Sequence, residues 1–343
     1  MPRKTPVTEA APGERLFLID SMSHIFRAFF APMGGRTEPL TNSRGQVTQA
    51  VFVFTSMLRK LLGDENPHYI AAVFESGVPT FRHESYAEYK AHRAEMPEEL
   101  QSQIPYIMRV CEAFQIPIVN VAGYEADDVI GTLAVQAAAR NLQAVIVSND
   151  KDMCQLVKDP LVVCMRQNSQ NVKRKEPVPP IEWCDEAWVE AKFGVPPAQI
   201  IELLGLMGDA VDNIPGAPGI GAKGAVQLVQ QFGTIENALA RWEEVKHKTY
   251  RESLRDNADL IRQSRDLATI KTDVAIELDL EKLRLKPPDR SAAYTLFREL
   301  EFQLLTREFA DAARDTGAGA AAPTARQYRK IKTSAELEKL LRS

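Results

Sequence analysis

The sequence predicts an α/β protein, a mostly parallel sheet flanked by helices, followed by an all-helical lobe. Three observations carry that expectation. Short apolar runs at residues 16–19, 69–74, 116–121 and 144–147 alternate with segments of helical apolar spacing. Most of these runs end in an acid or lead straight to one. Near residue 186 the alternation stops, and amphipathic segments with Gly/Pro turns continue to about residue 300.

The elements follow in chain order. Residues 1–14 read as a polar, Pro-containing tail. LFLI at 16–19 is the first strand and ends at Asp20. Val47, Val51, Phe54, Leu58 and Leu61 repeat at helical spacing. YIAAVF at 69–74 is the second strand, and Glu75 follows it. Residues 98–114 read as helix and IPIVNV at 116–121 as the third strand. Ala126, Val129, Ile130, Leu133 and Ala137 mark a helix that opens on Glu125, Asp127 and Asp128. AVIV at 144–147 is the fourth strand, with Asp150 and Asp152 at the start of a helix after it, and 161–165 is a fifth. These patterns divide the chain into a core at 15–185 and a helical lobe at 186–305. A linker at 306–327, small in its residues and low in complexity, and a charged tail at 328–343 complete it.

Composition narrows the classes. The 343 residues are 45% hydrophobic and 26% charged, enough for a sizeable core. No apolar run approaches the ~20 residues that span a bilayer, and the first residues lack a secretory apolar stretch, so no membrane is expected. Cys111, Cys154, Cys164 and Cys184 have no CxxC spacing, so free thiols in a cytoplasmic monomer are the expectation.

Ligands of an open parallel sheet bind outside the carboxyl ends of its strands. Asp20, Glu75, Glu125, Asp127, Asp128, Asp150 and Asp152 therefore converge on one rim, and Asp209 and Asp212 open the Gly/Pro-rich part of the helical lobe. So many carboxylates cannot stay ionised together without cations, and a cluster without Cys or His selects hard ions such as Mg²⁺ or Mn²⁺. Any single acid could equally be a helix cap. Setting the nine acids aside turns the net charge of −4 into +5. Residues 81–93 interleave Arg82, Lys90 and Arg93 with Tyr86 and Tyr89, a mixture that suits phosphates and unstacked bases, or a solvated amphipathic helix.

Residues 219–224 (GIGAKG) match GxGxxG formally, but no strand precedes them. The better reading is a helix–turn–helix over 214–225. There Gly216, Gly219, Gly221 and Gly224 let backbone N–H groups approach a phosphate and Lys223 adds charge.

LFLIDSMSHIFRAFFA, FRHESYAEYKAHRAEMPEEL, GYEADDVIGTLA, VSNDKDMCQLV and GLMGDAVDNIPGAPGIGAKGA together resemble the 5′-nuclease (flap endonuclease) family, in particular the 5′→3′ exonuclease domain of bacterial DNA polymerase I. They lie in family order over about residues 15–290. The resemblance implies a PIN-like core with a helix-hairpin-helix (H3TH) lobe, and a two-metal nuclease acting on 5′ flaps, 5′ ends and RNA-primer/DNA junctions in the bacterial nucleoid. It assigns Asp20, Glu75, Glu125, Asp127 and Asp128 to a first Mg²⁺ or Mn²⁺, some through water. Asp150, Asp152, Asp209 and Asp212 go to a second. Arg27, Lys90 and Arg93 would steer the phosphate and stabilise charge, and Tyr89 would stack on a base. The single strand would pass under a helical arch at about 80–100, and the turn at 216–225 would grip the duplex and hold a K⁺. The family usually has Asp where this chain has Glu75, which opens the alternative of a DNA-binding scaffold with an impaired metal site. The tail at 328–343 resembles the start of a proofreading domain, so the chain is expected to be continuous with a polymerase or to act beside one. A PIN-like ribonuclease and a Rossmann oxidoreductase are the other readings. The helical lobe argues against the first, and the second is the more distant.

Overall fold

The computed structural model describes residues 13–32, 38–168 and 181–311. Its sheet has the order β3-β2-β1-β4-β5-β6. The strands are β1 (Arg15–Asp20), β2 (Tyr69–Val73), β3 (Ile118–Val119), β4 (Gln143–Val147), β5 (Val162–Gln167) and β6 (Ile181–Cys184). All neighbours are parallel except β6, which runs antiparallel to β5. The inner strands are apolar on both faces, the pattern of a parallel sheet covered on both sides. β1 is central, with Ile19 beside Ala72 of β2 and Val147 of β4. The third strand shrinks from the expected six residues to two, because it is an edge with one neighbour. β6 has no alternating signal of its own and was not expected.

Among the described residues, six helices belong to the first part of the chain: α1 (Ser21–Phe29), α2 (Gln49–Glu65), α3 (Phe81–Ser85), α4 (Glu98–Gln101), α5 (Ile104–Ala113) and α6 (Ala126–Ala138). The single helix expected over 98–114 is broken between α4 and α5, where Pro105 enters the first turn of α5. The helix expected from Asp150 is a 3-10 turn at Asp152–Leu156, since the chain must return at once to start β5.

The helical lobe holds α7 (Glu186–Phe193), α8 (Ile200–Met207), α9 (Ala222–Phe232), α10 (Ile235–Ala240), α11 (Lys248–Asp256), α12 (Ala258–Ala268) and α13 (Leu280–Leu283). Its buried residues are continuous with those of the sheet. One buried cluster runs from Leu16 and Leu18 of β1 through Ile130 of α6 to Leu204 of α8 and Ile261 of α12. The described residues up to Asp289 accordingly form one compact unit.

A second unit begins at Arg290. Its helices α14 (Arg290–Glu299) and α15 (Gln303–Glu308) pack through Phe297, Phe302 and Phe309. Residues 306–308, expected in the linker, are helical; 312–327 and the tail at 328–343 lie outside the described residues, as do residues 1–12. No helix among the described residues is long and apolar enough to cross a membrane. All four cysteines are free and buried.

Candidate active site

Each acid reaches the rim through a different local structure. Asp20 ends β1 and caps α1: its Oδ1 accepts the Ser23 N–H at 3.1 Å, and its Oδ2 accepts the Ser148 hydroxyl at 2.7 Å. Glu75 lies just beyond β2. Glu125 caps α6 and Asp127 sits in its first turn. Past β4, Asp150 Oδ1 accepts the Asp152 N–H at 2.9 Å. Asn149 straps this loop to β5, donating to Gln167 O at 2.8 Å and accepting the Gln167 N–H at 3.0 Å.

The helical lobe supplies the remaining two. Asp209 and Ile214 exchange backbone hydrogen bonds of 2.9 and 2.7 Å, closing a tight loop. Asp209 Oδ1 accepts the N–H groups of Val211 at 2.7 Å and Asp212 at 3.2 Å. Cations join the acids of the two lobes. Lys90 Nζ is 2.7 Å from Glu125 Oε1 and 3.9 Å from Asp212 Oδ2, and Arg93 Nη2 is 2.5 Å from Asp212 Oδ1. Lys151 Nζ pairs with Asp209 Oδ2 and lies 3.2 Å from Asp152 Oδ1. The backbone joins them too: the Lys90 N–H donates to Asp212 O at 2.9 Å, and Asn213 Nδ2 donates to Glu88 O at 2.6 Å.

The crowding is visible in the proton affinities. Burial, with Asp150 nearby, pushes Asp20 up to about 6 against the Ser148 hydrogen bond. Burial and then Asp20, Asp150 and Glu125 hold Asp127 well above the ordinary carboxylate range. Burial and Asp150 raise Asp152 to about 7, opposed by Lys151. Desolvation and Glu125 raise Glu75 to about 7, although its side chain is solvent-exposed, which screens the rise. Burial works the same way on Asp209, but Lys151 and two backbone N–H groups outweigh it and lower its pKa.

This donor set fits hard divalent cations: it is all oxygen, short of positive charge, and carries ammonium groups lodged between carboxylates. Asp152 Oδ1 is buried without a well-directed hydrogen bond, the Lys151 contact being an ion pair of poor direction. Among the described residues no three such side chains already stand at ligating spacing. Lys90 stands between Glu125 and Asp212, and Lys151 between Asp152 and Asp209.

Four expectations need correction. Asp128 is no free ligand: it is fully buried, its oxygens accept both Arg82 Nη1 at 2.7 Å and Nη2 at 2.8 Å, and they also take the backbone N–H groups of Glu125 and Lys271. Arg82 is buried rather than solvated or phosphate-facing, with further bonds to Leu267 O at 2.9 Å and Thr269 O at 2.7 Å. Tyr89 is buried too. Its hydroxyl donates to Glu125 Oε2 at 3.1 Å, so it orients a carboxylate and offers no face to a base. Residues 80–100 do not stand clear as an arch: Thr80, Arg82, Tyr89 and Leu100 are buried, and the exposed stretch is 91–99 apart from Met96.

The turn glycines divide by role. Gly208 and Gly216 both have left-handed φ, 69° and 66°, and their backbones touch. A Cβ on Gly216 would stand 2.4 Å from Gly208 N. A Cβ on Gly224 would meet the Tyr250 ring at 2.6 Å, so this glycine serves packing. One on Gly219, also at positive φ, would lie 2.9 Å from the Thr249 methyl. Gly221, the N-cap of α9, has open space, and Lys223 beside it is exposed. Arg27 is half-buried in the last turn of α1, near another cation, Arg166. Ser148, Lys151 and the anchoring role of Arg82 were missed from sequence. Lys151 had a signal, standing between two acids, but Ser148 had only its place at a strand end.

Two family models match the chain: the 5′-3′ exonuclease N-terminal resolvase-like domain at residues 15–194 and the 5′-3′ exonuclease C-terminal SAM fold at 195–291. The chain is 41% identical over 291 residues to DNA polymerase I of Bacillus caldotenax, covering 84% of this chain and 32% of that one. It is 36% identical over 293 residues to a 5′-3′ exonuclease of Aquifex aeolicus, covering 85% of this chain and 94% of that one. It thus spans about a third of the polymerase's length. Among solved structures it resembles the T5 D15 protein co-crystallised with metal ions (TM-score 0.61, 18% identity, 88% of this chain and 100% of that one). It also resembles the catalytic core of Rad2 in complex with DNA substrate (TM-score 0.57, 17% identity, 87% and 91%).

Proposed function

Because the chain belongs to the 5′-3′ exonuclease family, we propose that it hydrolyses phosphodiesters at 5′ ends and 5′ flaps of DNA, RNA-primer junctions included. The observation that carries this is the joining of acids from two lobes at one rim, with Lys90 bridging Glu125 and Asp212 and Arg93 pairing with Asp212. Asp20, Glu75, Glu125 and Asp127 would hold one divalent ion, and Asp150, Asp152, Asp209 and Asp212 a second. Mg²⁺ or Mn²⁺ bound there would activate water and neutralise charge on the scissile phosphate and the leaving oxygen.

The chain's own residues do the rest. Ser148 and Ser23 hold the Asp20 carboxylate, and Tyr89 holds Glu125, so the carboxylates are oriented before substrate arrives. Lys90 pairs with Glu125 and Arg93 with Asp212, and both would turn to the phosphate when cations take those acids. Arg27, half-buried in the last turn of α1 beside Arg166, fits contact with a neighbouring phosphate. Lys223 and the open N-terminus of α9 suit a duplex phosphate, with K⁺ in the turn as an added ligand. DNA complexes of the related T5 D15 flap endonuclease and Rad2 core support a DNA substrate. The polymerase relatives support action in the same chain as a polymerase or beside one.

The test is cleavage of a labelled 5′-flap duplex in Mg²⁺, Mn²⁺ or EDTA, beside Asp127→Ala. Cutting at the junction that requires both metal and Asp127 is expected. Tight flap binding with no cutting in either metal would replace this reading with that of a DNA-binding scaffold, with Glu75 as the first suspect.

A further inference from the structure

The SNDKD segment places a lysine between two of the acids, and the fold brings a third acid to it from the other lobe. Lys151 Nζ lies 3.2 Å from Asp152 Oδ1 and pairs with Asp209 Oδ2. The two carboxylates are only 15% and 10% exposed as side chains. Asp209 Oδ1 is already taken by the Val211 and Asp212 N–H groups, so Oδ2 is the oxygen left for a cation. Asp152 Oδ1 likewise has no well-directed hydrogen bond. Lys90 and Arg93 serve Glu125 and Asp212 and make no ion pair with Asp152 or Asp209.

We propose that Lys151 is an internal cation of the second carboxylate group, competing with the second divalent ion for Asp152 and Asp209. This rests on the two-cation reading above and adds to it a residue that sets how tightly the second ion binds. The ammonium and the ion need the same two oxygens, so binding of one opposes the other. The second site is therefore weak in the free protein and strengthens when an added phosphate draws Lys151 away. Lys151 is a positioning residue here, acting through the carboxylates. An ordinary ion pair between the lobes would affect stability and leave cation affinity alone.

The experiment counts bound Mn²⁺ by electron paramagnetic resonance on the whole, DNA-free chain, comparing the wild type with Lys151→Met, Lys151→Gln and Lys151→Arg. Two constants are expected in the wild type. The weaker should tighten about tenfold in the two neutral variants, within the usual range for two ligands coupled through one site, and stay near wild type in Lys151→Arg. The Mg²⁺ concentration for half-maximal cleavage should fall alongside. Unchanged Mn²⁺ constants in the neutral variants, with metal-dependent cleavage intact, would remove the role of Lys151 and leave the nuclease reading standing. No bound Mn²⁺ in any variant, together with no metal-dependent cleavage, would overturn both.

Discussion

The Arg82 guanidinium divides its donors among both Asp128 oxygens, Leu267 O and Thr269 O. It therefore fastens α3, the first turn of α6 and the segment after α12 at one point. Both partners of its ion pair are buried, with side-chain exposures of 3% and 0%. Removing one partner of such a pair strands a charge, at a cost of about 3–5 kcal/mol. Arg82→Met should lower stability by that order, read from the urea midpoint at unchanged slope. Arg82→Met with Asp128→Leu should recover part of the loss, although the Glu125 and Lys271 N–H groups stay uncapped. A single variant as stable as wild type would mean that Arg82 does not anchor Asp128, and would return it to the candidate metal ligands.

Between α8 and α9 the chain turns with Gly208 and Gly216 back to back, fixed by Ala217 N–H donating to Leu206 O at 2.7 Å and Gly216 N–H to the Ser264 hydroxyl at 3.0 Å. A side chain at Gly216 meets both a left-handed φ and backbone atoms that cannot yield, whereas one at Gly221 meets open space. Gly216→Ala should destabilise by at least about 1–3 kcal/mol, the usual cost of a strained backbone residue. Gly221→Ala should melt within a few degrees of wild type and weaken only duplex binding, measured by fluorescence anisotropy. Equal duplex affinity for Gly221→Ala and wild type would place the phosphate contact elsewhere than at the start of α9. That this turn exists was legible from its glycines, as the strands were from their apolar runs and the rim from the acids that follow them. What each glycine or acid does there was not legible. Spacing cannot tell Asp127, which is partly exposed, from its neighbour Asp128, which is fully buried against Arg82; that depends on which α6 side chains the distant 267–271 segment covers. The same holds for Tyr89, whose burial is decided by contacts with Glu125 and the Asp209–Ile214 loop.

At the scale of the first unit, the second candidate cation site depends on the sheet and helical lobe staying packed, because Asp209 and Asp212 come from the lobe and Asp150 and Asp152 from the loop after β4, while Lys90 ties Asp212 to Glu125 of the first site. The buried cluster that joins them is continuous from Leu16 to Ile261 and includes Leu203, Leu228 and Phe232 of the lobe. A lobe whose core is shared with the sheet has less to hold it folded once the sheet face is lost. The two parts should then unfold as one transition. The three tryptophans allow this to be checked, since Trp183 lies on β6 and Trp188 on α7, while Trp242 follows α10 in the lobe. Variants retaining only Trp183 or only Trp242 should show the same urea midpoint as each other and as far-UV circular dichroism. A Trp242 midpoint clearly below that of Trp183 would mean that the lobe detaches first. The acids it carries would then be available to the rim only while it remains docked, and cation binding would be expected to raise the Trp242 midpoint alone.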